Sequence, residues 1–176
     1  MRIIAGTFRG YRLPPIKHLS ARPTTDFAKE NLFNVLVHRF DLSDFGVLDL
    51  FAGTGSISLE FVSRGVKSVT AVEKAHTQQQ FIATTCNALK INNLRLVRSD
   101  VFHFLSICKV QYDCIFADPP YSLATLSTIP DIIFANSLLK TDGLLILEHS
   151  KEHNFATHPH FVEERTYGSV HFSFFQ

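Results

Sequence analysis

The spacing of apolar residues changes near Gly46. Beyond it, short apolar runs alternate with amphipathic stretches, a pattern typical of a parallel β-sheet with crossover helices. The predicted strands cover residues 47–51, 68–72, 95–98, 112–117 and 144–148. The predicted helices cover residues 55–64, 102–107 and 126–139, with another on the stripe Phe81, Ile82, Thr85 and Leu89. The expected fold class is therefore a doubly wound α/β domain.

The two ends of the chain depart from that alternation. Residues 161–166 and 169–175 flank Gly168, which predicts a closing hairpin with an antiparallel last strand. Residues 1–13 alternate loosely around two glycines, as in a short hairpin, until two prolines end the pattern. Thr25 and Asp26 offer capping oxygens for a helix over residues 27–40. We expect an arm over residues 1–26 and a single folding unit over residues 27–176.

Charge is distributed unevenly between these two parts. The net charge is +1, yet the first 25 residues carry +5 and the remainder −4. The five cations are Arg2, Arg9, Arg12, Lys17 and Arg22. This asymmetry suits a phosphate-contacting arm on a near-neutral body, with Arg2, Arg9, Arg12 and Arg22 as candidate RNA contacts. A segment that is basic by chance fits equally well, so charge alone does not decide.

Composition narrows the class of protein further. A chain of 176 residues is long enough to bury a core without a disulfide or a structural metal. The cysteines, Cys86, Cys108 and Cys114, are odd in number and show no CxxC spacing. No stretch approaches the roughly 20 apolar residues of a membrane span, and the apolar start is too short for a signal peptide. We expect a cytoplasmic protein.

The first predicted strand runs into a glycine turn that opens a helix. Doubly wound folds hold a nucleotide-like ligand at such a turn, where Gly53 and Gly55 permit close approach of the backbone. Glu73, at the end of the next strand, is placed to accept hydrogen bonds from the ribose hydroxyls of an adenosine. Asp100, after the third strand, is placed to accept one from an adenine amine, with the N–H of Val101 or Phe102 beside it. Asp100 also fits the simpler role of a helix N-cap.

Two departures from the dinucleotide fingerprint favour a cationic cofactor. Ser58 replaces the third glycine, and Asp49 lies inside the strand before the turn. A carboxylate there would repel a pyrophosphate but attract the sulfonium and ammonium of S-adenosylmethionine. The sequence therefore predicts S-adenosylmethionine as the cofactor.

Asp118-Pro119-Pro120-Tyr121 follows the fourth predicted strand and is the most discriminating segment of the chain. An exocyclic amine of a nucleobase is a poor nucleophile because its lone pair is delocalised into the ring. Acceptors on both N–H groups favour a pyramidal nitrogen, and Asp118 and the Pro119 carbonyl can supply them. Tyr121 can stack on the base. These four residues are the predicted catalytic group of a methyltransferase acting on an exocyclic nitrogen.

Competing chemistries have weaker support. His153, His158 and His160 fall in a predicted surface loop, where solvated histidines are commoner than a metal site, so no metal is expected. Methylation of cytosine carbon needs a nucleophilic cysteine, but Cys114 lies within a strand and is expected to face the core.

Over its whole length the sequence resembles the RsmD family of 16S ribosomal RNA guanine-N2 methyltransferases. The specific segments are Arg2-Ile3-Ile4-Ala5-Gly6 with Arg9-Gly10, and Arg22-Pro23-Thr24-Thr25-Asp26 with Glu30-Asn31-Leu32-Phe33-Asn34. Shared more widely among nucleic-acid methyltransferases are Leu48-Asp49-Leu50-Phe51-Ala52-Gly53-Thr54-Gly55, Val72-Glu73-Lys74 and Asp118-Pro119-Pro120-Tyr121. A departure is Phe27 with Lys29, where many members are basic at both positions.

The resemblance implies a seven-stranded Rossmann-like methyltransferase. It would act on one guanine of 16S rRNA, within a small ribosomal subunit or its assembly intermediate, as a monomer. The predicted cofactor-binding residues are Asp49, Phe51, Ala52, Gly53, Gly55, Glu73, Lys74, Asp100 and Val101.

Other functions remain open at this stage. A DNA adenine-N6 methyltransferase uses the same Asp/Asn-Pro-Pro-aromatic chemistry on a flipped base, but usually with a target-recognition region that this chain lacks room for. A protein-glutamine methyltransferase leaves the basic arm unexplained. A non-catalytic RNA-binding assembly factor would not need Asp49, Glu73 and Asp118. A nicotinamide-dependent oxidoreductase is the remotest option.

Overall fold

The computed structural model describes residues 1–14 and 25–176. The helices are α1 (Asp26–Arg39), α2 (Ser56–Ser63), α3 (His76–Leu89), α4 (Val101–Ile107) and α5 (Ile129–Ala135), the last preceded by a 3₁₀ turn (Leu126–Thr128). The strands are β1 (Gly46–Leu50), β2 (Ser68–Glu73), β3 (Leu94–Arg98), β4 (Tyr112–Ala117), β5 (Leu139–His149), β6 (Phe161–Tyr167) and β7 (Val170–Phe175). Predictions that concern Lys17 and Arg22 lie outside the described residues.

The strands form one seven-stranded sheet in the order β3-β2-β1-β4-β5-β7-β6. β1 to β5 are parallel, whereas β7 runs antiparallel to both β5 and β6. The doubly wound fold class and the closing hairpin at Gly168 are confirmed. Because the order reverses between β1 and β4, a crevice opens beyond the carboxyl ends of these two strands, where ligands bind in such sheets.

Two apolar layers cover the sheet. One contains Phe33 of α1 and Phe61 of α2, whose ring centroids lie 4.6 Å apart, packed towards β7. The other buries Leu105 of α4 and Ile133 of α5 against the opposite sides of β1, β4 and β5. β1 reads as a continuous buried run because it is covered on both faces.

The region that follows the carboxyl end of β4 differs from the prediction. A helix was expected over residues 126–139, but the α-helix ends at Ala135 and Leu139 already begins β5. Ser137 adopts a positive φ of 52°, and the Leu138 N–H donates to the Ile133 carbonyl, which closes the helix. Leu138 and Leu139 continue the apolar spacing of the helix. A prediction from periodicity alone therefore places the end of the helix too late in the chain. The strand expected over residues 144–148 is correspondingly longer.

The first 14 residues form a hairpin that packs on α2. Arg2 pairs with Arg12 across it, and the Ile3 and Gly10 N–H groups donate to the Tyr11 and Ile3 carbonyls at 2.9 and 2.8 Å. The Thr7 N–H donates to the Ser63 carbonyl at 2.7 Å. A Cβ on Gly6 would lie 1.8 Å from that same carbonyl, so this close approach requires glycine. The expected hairpin is confirmed, while its division from the rest as an arm over residues 1–26 stays a prediction.

A buried ion pair joins this hairpin to the sheet domain. The Glu60 carboxylate of α2 accepts hydrogen bonds from the Ile4 and Ala5 N–H groups at 2.8 and 3.1 Å. It also binds Arg64 at 2.8 Å and lies 3.7 Å from the Lys29 ammonium of α1. The Lys29 ammonium in turn donates to the Arg2 carbonyl at 2.7 Å. Burial lowers the pKa of Lys29, and the nearby Glu60 carboxylate opposes that shift.

No helix in the described ranges is both long and apolar enough to cross a membrane.

Candidate active site

The turn after β1 has the backbone geometry of a ligand-binding loop. Phe51, Gly53 and Gly55 all adopt positive φ, and the Gly55 N–H donates to the Ala52 carbonyl at 2.7 Å. Gly55 is the N-cap of α2. A Cβ there would lie 2.8 Å from the Ile82 side chain, so glycine lets α3 pack against the turn. From the sequence, Gly53 and Gly55 were expected to leave room for a ligand. The packing of Ile82 against Gly55 was not expected.

Glu73 ties the turn to the end of β2. Its carboxylate, 8% exposed, accepts hydrogen bonds from the Gly53 N–H at 2.8 Å and from the Ala75 N–H at 2.7 Å. The Gln78 side-chain amide is oriented with its nitrogen towards this carboxylate. That nitrogen lies 2.9 and 3.1 Å from the two carboxylate oxygens. The half-exposed Gln78 amide therefore occupies the position that the sequence prediction assigns to the hydroxyls of a ribose. The role of Glu73 towards a ribose stays a prediction.

Asp49 lies behind the turn and is 1% exposed. Its carboxylate accepts a hydrogen bond from the Ser58 hydroxyl of α2. Burial raises the pKa of Asp49 to about 7, with the negative charge of Glu73 adding to the effect and the Ser58 bond opposing it. Ser58, noted in the sequence for replacing a glycine, therefore holds the carboxylate. A cation in the crevice would favour the ionised form of Asp49.

Asp100 is found as the N-cap of α4. Its carboxylate accepts from the Phe102 and His103 N–H groups at 3.0 and 3.4 Å, and Lys74 lies 3.5 Å away. These N–H groups hold the pKa of Asp100 below its ordinary value, although its slight burial alone would raise it. The Phe102 N–H is thus engaged by Asp100. Of the two N–H groups predicted to contact an adenine, that of Val101 remains the candidate. The role of Asp100 towards an adenine stays a prediction.

Asp118-Pro119-Pro120-Tyr121 begins where β4 ends, beside β1. The Asp118 N–H donates to the Leu50 carbonyl at 3.3 Å. Because Leu50 directly precedes the glycine turn, this segment starts beside that turn. Pro119 is buried and Pro120 is exposed. The Tyr121 side chain is 42% exposed, and its hydroxyl donates to Glu148 Oε1 at 3.1 Å. An exposed ring held at its far end is suited to stacking on a planar ligand.

The structure therefore brings most of the predicted site to one edge of the sheet. The Ala52 N–H donates to the Val72 carbonyl at 3.0 Å, which links the ends of β1 and β2 as Asp118 links those of β1 and β4. The predicted residues found along this edge are Asp49, Phe51, Ala52, Gly53, Gly55, Glu73, Lys74, Asp100, Val101, Asp118, Pro119, Pro120 and Tyr121.

Sequence reasoning missed Glu148, Glu60 and Lys29. Each is nearly or fully buried. Glu148 and Glu60 match no motif, and Lys29 was noted only as part of a departure from the family pattern, without its buried ion pair. The available signal was a single charge in an otherwise apolar run: Glu60 within SISLEFVS and Glu148 at the end of LLILEH. Such charges are rarely fully buried unless they are paired.

The three candidate RNA-contacting arginines that the structure describes lie in two places. Arg2 and Arg12 face each other across the hairpin. Met1, next to Arg2, brings this part of the hairpin close to the glycine turn, since its sulfur lies 3.5 Å from the Thr54 hydroxyl. Arg2 also pairs with Asp26 at 3.6 Å. Arg9 lies in the loop of the hairpin, next to Phe8, whose N–H donates to the Ser63 hydroxyl at the end of α2. Their contact with RNA stays a prediction.

The histidines and cysteines lie in settings unlike a metal site. His158 pairs with Asp131 at 3.3 Å, and the His160 ring stacks on Phe134 with centroids 3.8 Å apart. Within residues 1–14 and 25–176, no three His, Cys, Asp or Glu side chains are grouped to hold a metal. Cys114 faces the core as expected, and burial raises the pKa of its thiol.

Comparison with known proteins assigns the chain to a family. The family model described as "Conserved hypothetical protein 95" matches residues 1–176. The chain belongs to this family. Two relatives named "Ribosomal RNA small subunit methyltransferase D" are each 31% identical and align with all of this chain: that of Escherichia coli K12 over 89% of its length and that of Haemophilus influenzae over 93%. The resemblance to the RsmD family is confirmed.

The fold agrees with this assignment. A solved structure described as a putative methyltransferase from Escherichia coli is 32% identical and superposes with a TM-score of 0.88, covering all of this chain and 97% of the other. The chain is therefore a methyltransferase of the RsmD family with a Rossmann-like seven-stranded sheet. The residue roles in its active site remain predictions.

Proposed function

We propose that this methyltransferase transfers a methyl group from S-adenosylmethionine to the exocyclic N2 of a guanine in small-subunit (16S) ribosomal RNA. The observation that carries the proposal is the hydrogen bond from the Asp118 N–H to the Leu50 carbonyl. It supports the proposal because the segment that would bind the amine then starts beside the turn that would bind the nucleoside of the cofactor. The relatives named for small-subunit ribosomal RNA support the choice of RNA.

The residues around the turn fit the proposed cofactor. A carboxylate has about four lone-pair sites, so Glu73 can accept two ribose hydroxyls beyond the two backbone N–H groups that already hold it. Asp49 supplies negative charge behind the turn, where the cationic end of the cofactor would lie. When bound, S-adenosylmethionine supplies an electrophilic methyl group on a sulfonium.

The residues after β4 position the accepting nitrogen. The Asp118 carboxylate would accept one N2–H of guanine and the Pro119 carbonyl the other, which turns the nitrogen lone pair towards the methyl group. The cofactor would supply the methyl group for the new N–C bond and would leave as S-adenosylhomocysteine. The Asp118 carboxylate or water would accept the proton that N2 loses. Tyr121, restrained by Glu148, would stack on the purine.

The finer assignments form part of the same proposal. The substrate would be a small subunit or its assembly intermediate, the enzyme would act as a monomer in the cytoplasm, and the arginines of the hairpin would contact phosphate. Each is an inference from the family and from charge.

The test is transfer of labelled methyl from S-adenosylmethionine to unmodified small subunits, assembly intermediates and naked 16S RNA. DNA and total protein from the same cells serve as competing acceptors. We expect label in RNA only, recovered as N2-methylguanosine after digestion to nucleosides. Label in DNA or protein would replace the proposed substrate, and cofactor binding without any transfer would favour the assembly-factor alternative.

A further inference from the structure

Helix α1 carries an exposed stripe that faces away from the core. Phe27, Asn31, Asn34 and His38 follow one another at helical spacing, so they share one face of the helix. Phe27 is 64% exposed, although the other aromatic of this helix, Phe33, is fully buried. An exposed phenyl ring contributes little to folding and is free to contact a partner.

Beside the stripe, a groove of about 290 Å³ separates α1 from the edge strand β6. The described residues that line it are neutral or basic: Asn31, Asn34, Val35, His38, Arg39, Arg165 and Tyr167. Arg39 and Arg165 both bind the Glu163 carboxylate, at 2.6 and 3.2 Å. Two guanidinium groups on one carboxylate leave a net positive charge along the groove.

One end of the groove is aromatic. The Phe27 ring meets the Tyr167 ring edge to face, with centroids 6.3 Å apart and an interplanar angle of 83°. Tyr167 also packs against the buried Phe172 at 6.1 Å, which anchors its ring to the sheet. Phe27 thus extends outward from a fixed partner. A stackable ring, side-chain amides and arginines together are the groups that proteins use to bind single-stranded nucleic acid.

The aromatic end also lies on the active-site side of the molecule. β5 ends at His149, just after Glu148, and His149 pairs with His171 of β7. Tyr167 pairs with Val170, next to His171. Tyr167 and Phe27 therefore lie at the sheet edge that holds Glu148 and Tyr121. An RNA strand leaving the target nucleotide would meet Phe27 before the arginines.

We propose that this groove binds an unpaired segment of the substrate RNA next to the target nucleotide, with a base stacked on Phe27 and the RNA backbone along Arg39 and Arg165. The side chains of Asn31 and Asn34 would donate to and accept from base edges. The inference rests on the proposed function, because it takes RNA as the substrate. It assigns Phe27, which departs from the basic residue of many family members, a role in binding substrate.

The test compares steady-state methylation of small-subunit RNA by Phe27→Ala, Phe27→Leu and Phe27→Trp. Stacking on one base predicts that the first two variants raise KM for RNA by about fivefold to 150-fold, with kcat within about twofold and Phe27→Trp near wild type. Melting temperature should stay unchanged in all three, since the ring is largely exposed. Ile107→Ala is the matched control: it removes an apolar side chain that is 59% exposed at the opposite edge, and KM should not change.

Two results would overturn the inference. If Phe27→Leu behaves like wild type while Phe27→Ala does not, the contact is apolar rather than stacked and points to a protein partner. If none of the variants differs from Ile107→Ala, the groove takes no part in binding. Absence of methyl transfer by the wild type would instead contradict the proposed function, and fluorescence anisotropy with labelled 16S RNA fragments would then decide on the groove alone.

Discussion

The half of the active-site edge around β1 and β2 differs in burial from the half beyond β4. Around β1 and β2, Asp49 and Glu73 are nearly inaccessible, and each accepts hydrogen bonds from the protein itself. Beyond β4, Tyr121 and Phe27 are 42% and 64% exposed. We refer to these as the cofactor half and the substrate half. Under the proposed function, a small cofactor would enter the fixed frame of the cofactor half, and a large RNA partner would contact the exposed side chains of the substrate half.

Because of this difference, we expect mutations in the two halves to change different measured quantities. Changes in the cofactor half should alter cofactor affinity and its pH dependence. Changes in the substrate half should alter turnover or KM for RNA and leave cofactor affinity unchanged. Changes in the buried link to the hairpin should act mainly on stability.

The largest expected effect is on that link. Glu60→Leu leaves the buried Lys29 ammonium without its carboxylate, which should lower the free energy of unfolding by about 3–5 kcal/mol. The double variant with Lys29→Met should recover part of this loss, because it removes the uncompensated charge. Denaturant titration measures both. Glu163→Gln, in a partly exposed ion pair, is the control and should cost less than about 1 kcal/mol. A similarly small loss for Glu60→Leu would contradict the structural role.

The second effect separates the halves directly. Asp118→Ala should lower kcat by about 100-fold to 1000-fold, as expected for loss of one oriented group at the reacting atom. Binding of S-adenosylmethionine, measured by calorimetry, should hardly change. Asp118→Asn retains one acceptor oxygen and should lose less activity. Asp44→Ala, an exposed acid before β1, is the control, and retained turnover in Asp118→Ala would refute the proposed positioning.

The third effect is confined to the cofactor half. Glu73→Ala removes a charged acceptor, so Kd for S-adenosylmethionine should rise by about 10-fold to 150-fold, equivalent to about 1.5–3 kcal/mol. Lys74→Ala is the comparison within the same motif. Lys74 is among the cofactor-binding residues predicted from the sequence, but its side chain is 78% exposed and its ion pair with Asp100, 3.5 Å long, is exposed as well. Its loss should therefore have little effect on Kd. Equal losses in the two variants would show that burial does not distinguish their roles.

The smallest effect is a pH dependence from Asp49. Its pKa of about 7 in the folded chain lies above the ordinary 3.8, so the folded state binds more protons between these values. Its contribution to stability is therefore present below about pH 4 and is lost as pH rises to about 7. A bound cation favours the ionised carboxylate, so affinity for S-adenosylmethionine should rise with pH, by at most about tenfold per unit, and level off above pH 7.

Calorimetry across that pH range measures this dependence. Asp49→Asn should flatten it, and S-adenosylhomocysteine, which lacks the sulfonium charge, should show a weaker slope. A slope unchanged in Asp49→Asn would assign the titration to another group.

The sequence predicted features that depend on local pattern and on strand order. Alternating apolar runs indicated the parallel strands, and Glu73 and Asp118 were placed correctly because the carboxyl ends of parallel strands meet at one edge. The prediction of a helix over residues 126–139 was wrong at its end. The apolar residues at the start of the following strand continue the helical spacing, so the pattern does not mark where the helix stops. Lys29 with Glu60 and Tyr121 with Glu148 could not be paired in advance, since each contact joins separate elements through tertiary packing.

The most direct test of the account is to digest RNA from parallel reactions of the wild type and Asp118→Ala with labelled S-adenosylmethionine, at equal cofactor occupancy. We expect N2-methylguanosine from the wild type and about 100-fold to 1000-fold less label from the variant. Label in another nucleoside, or equal label from both proteins, would contradict it.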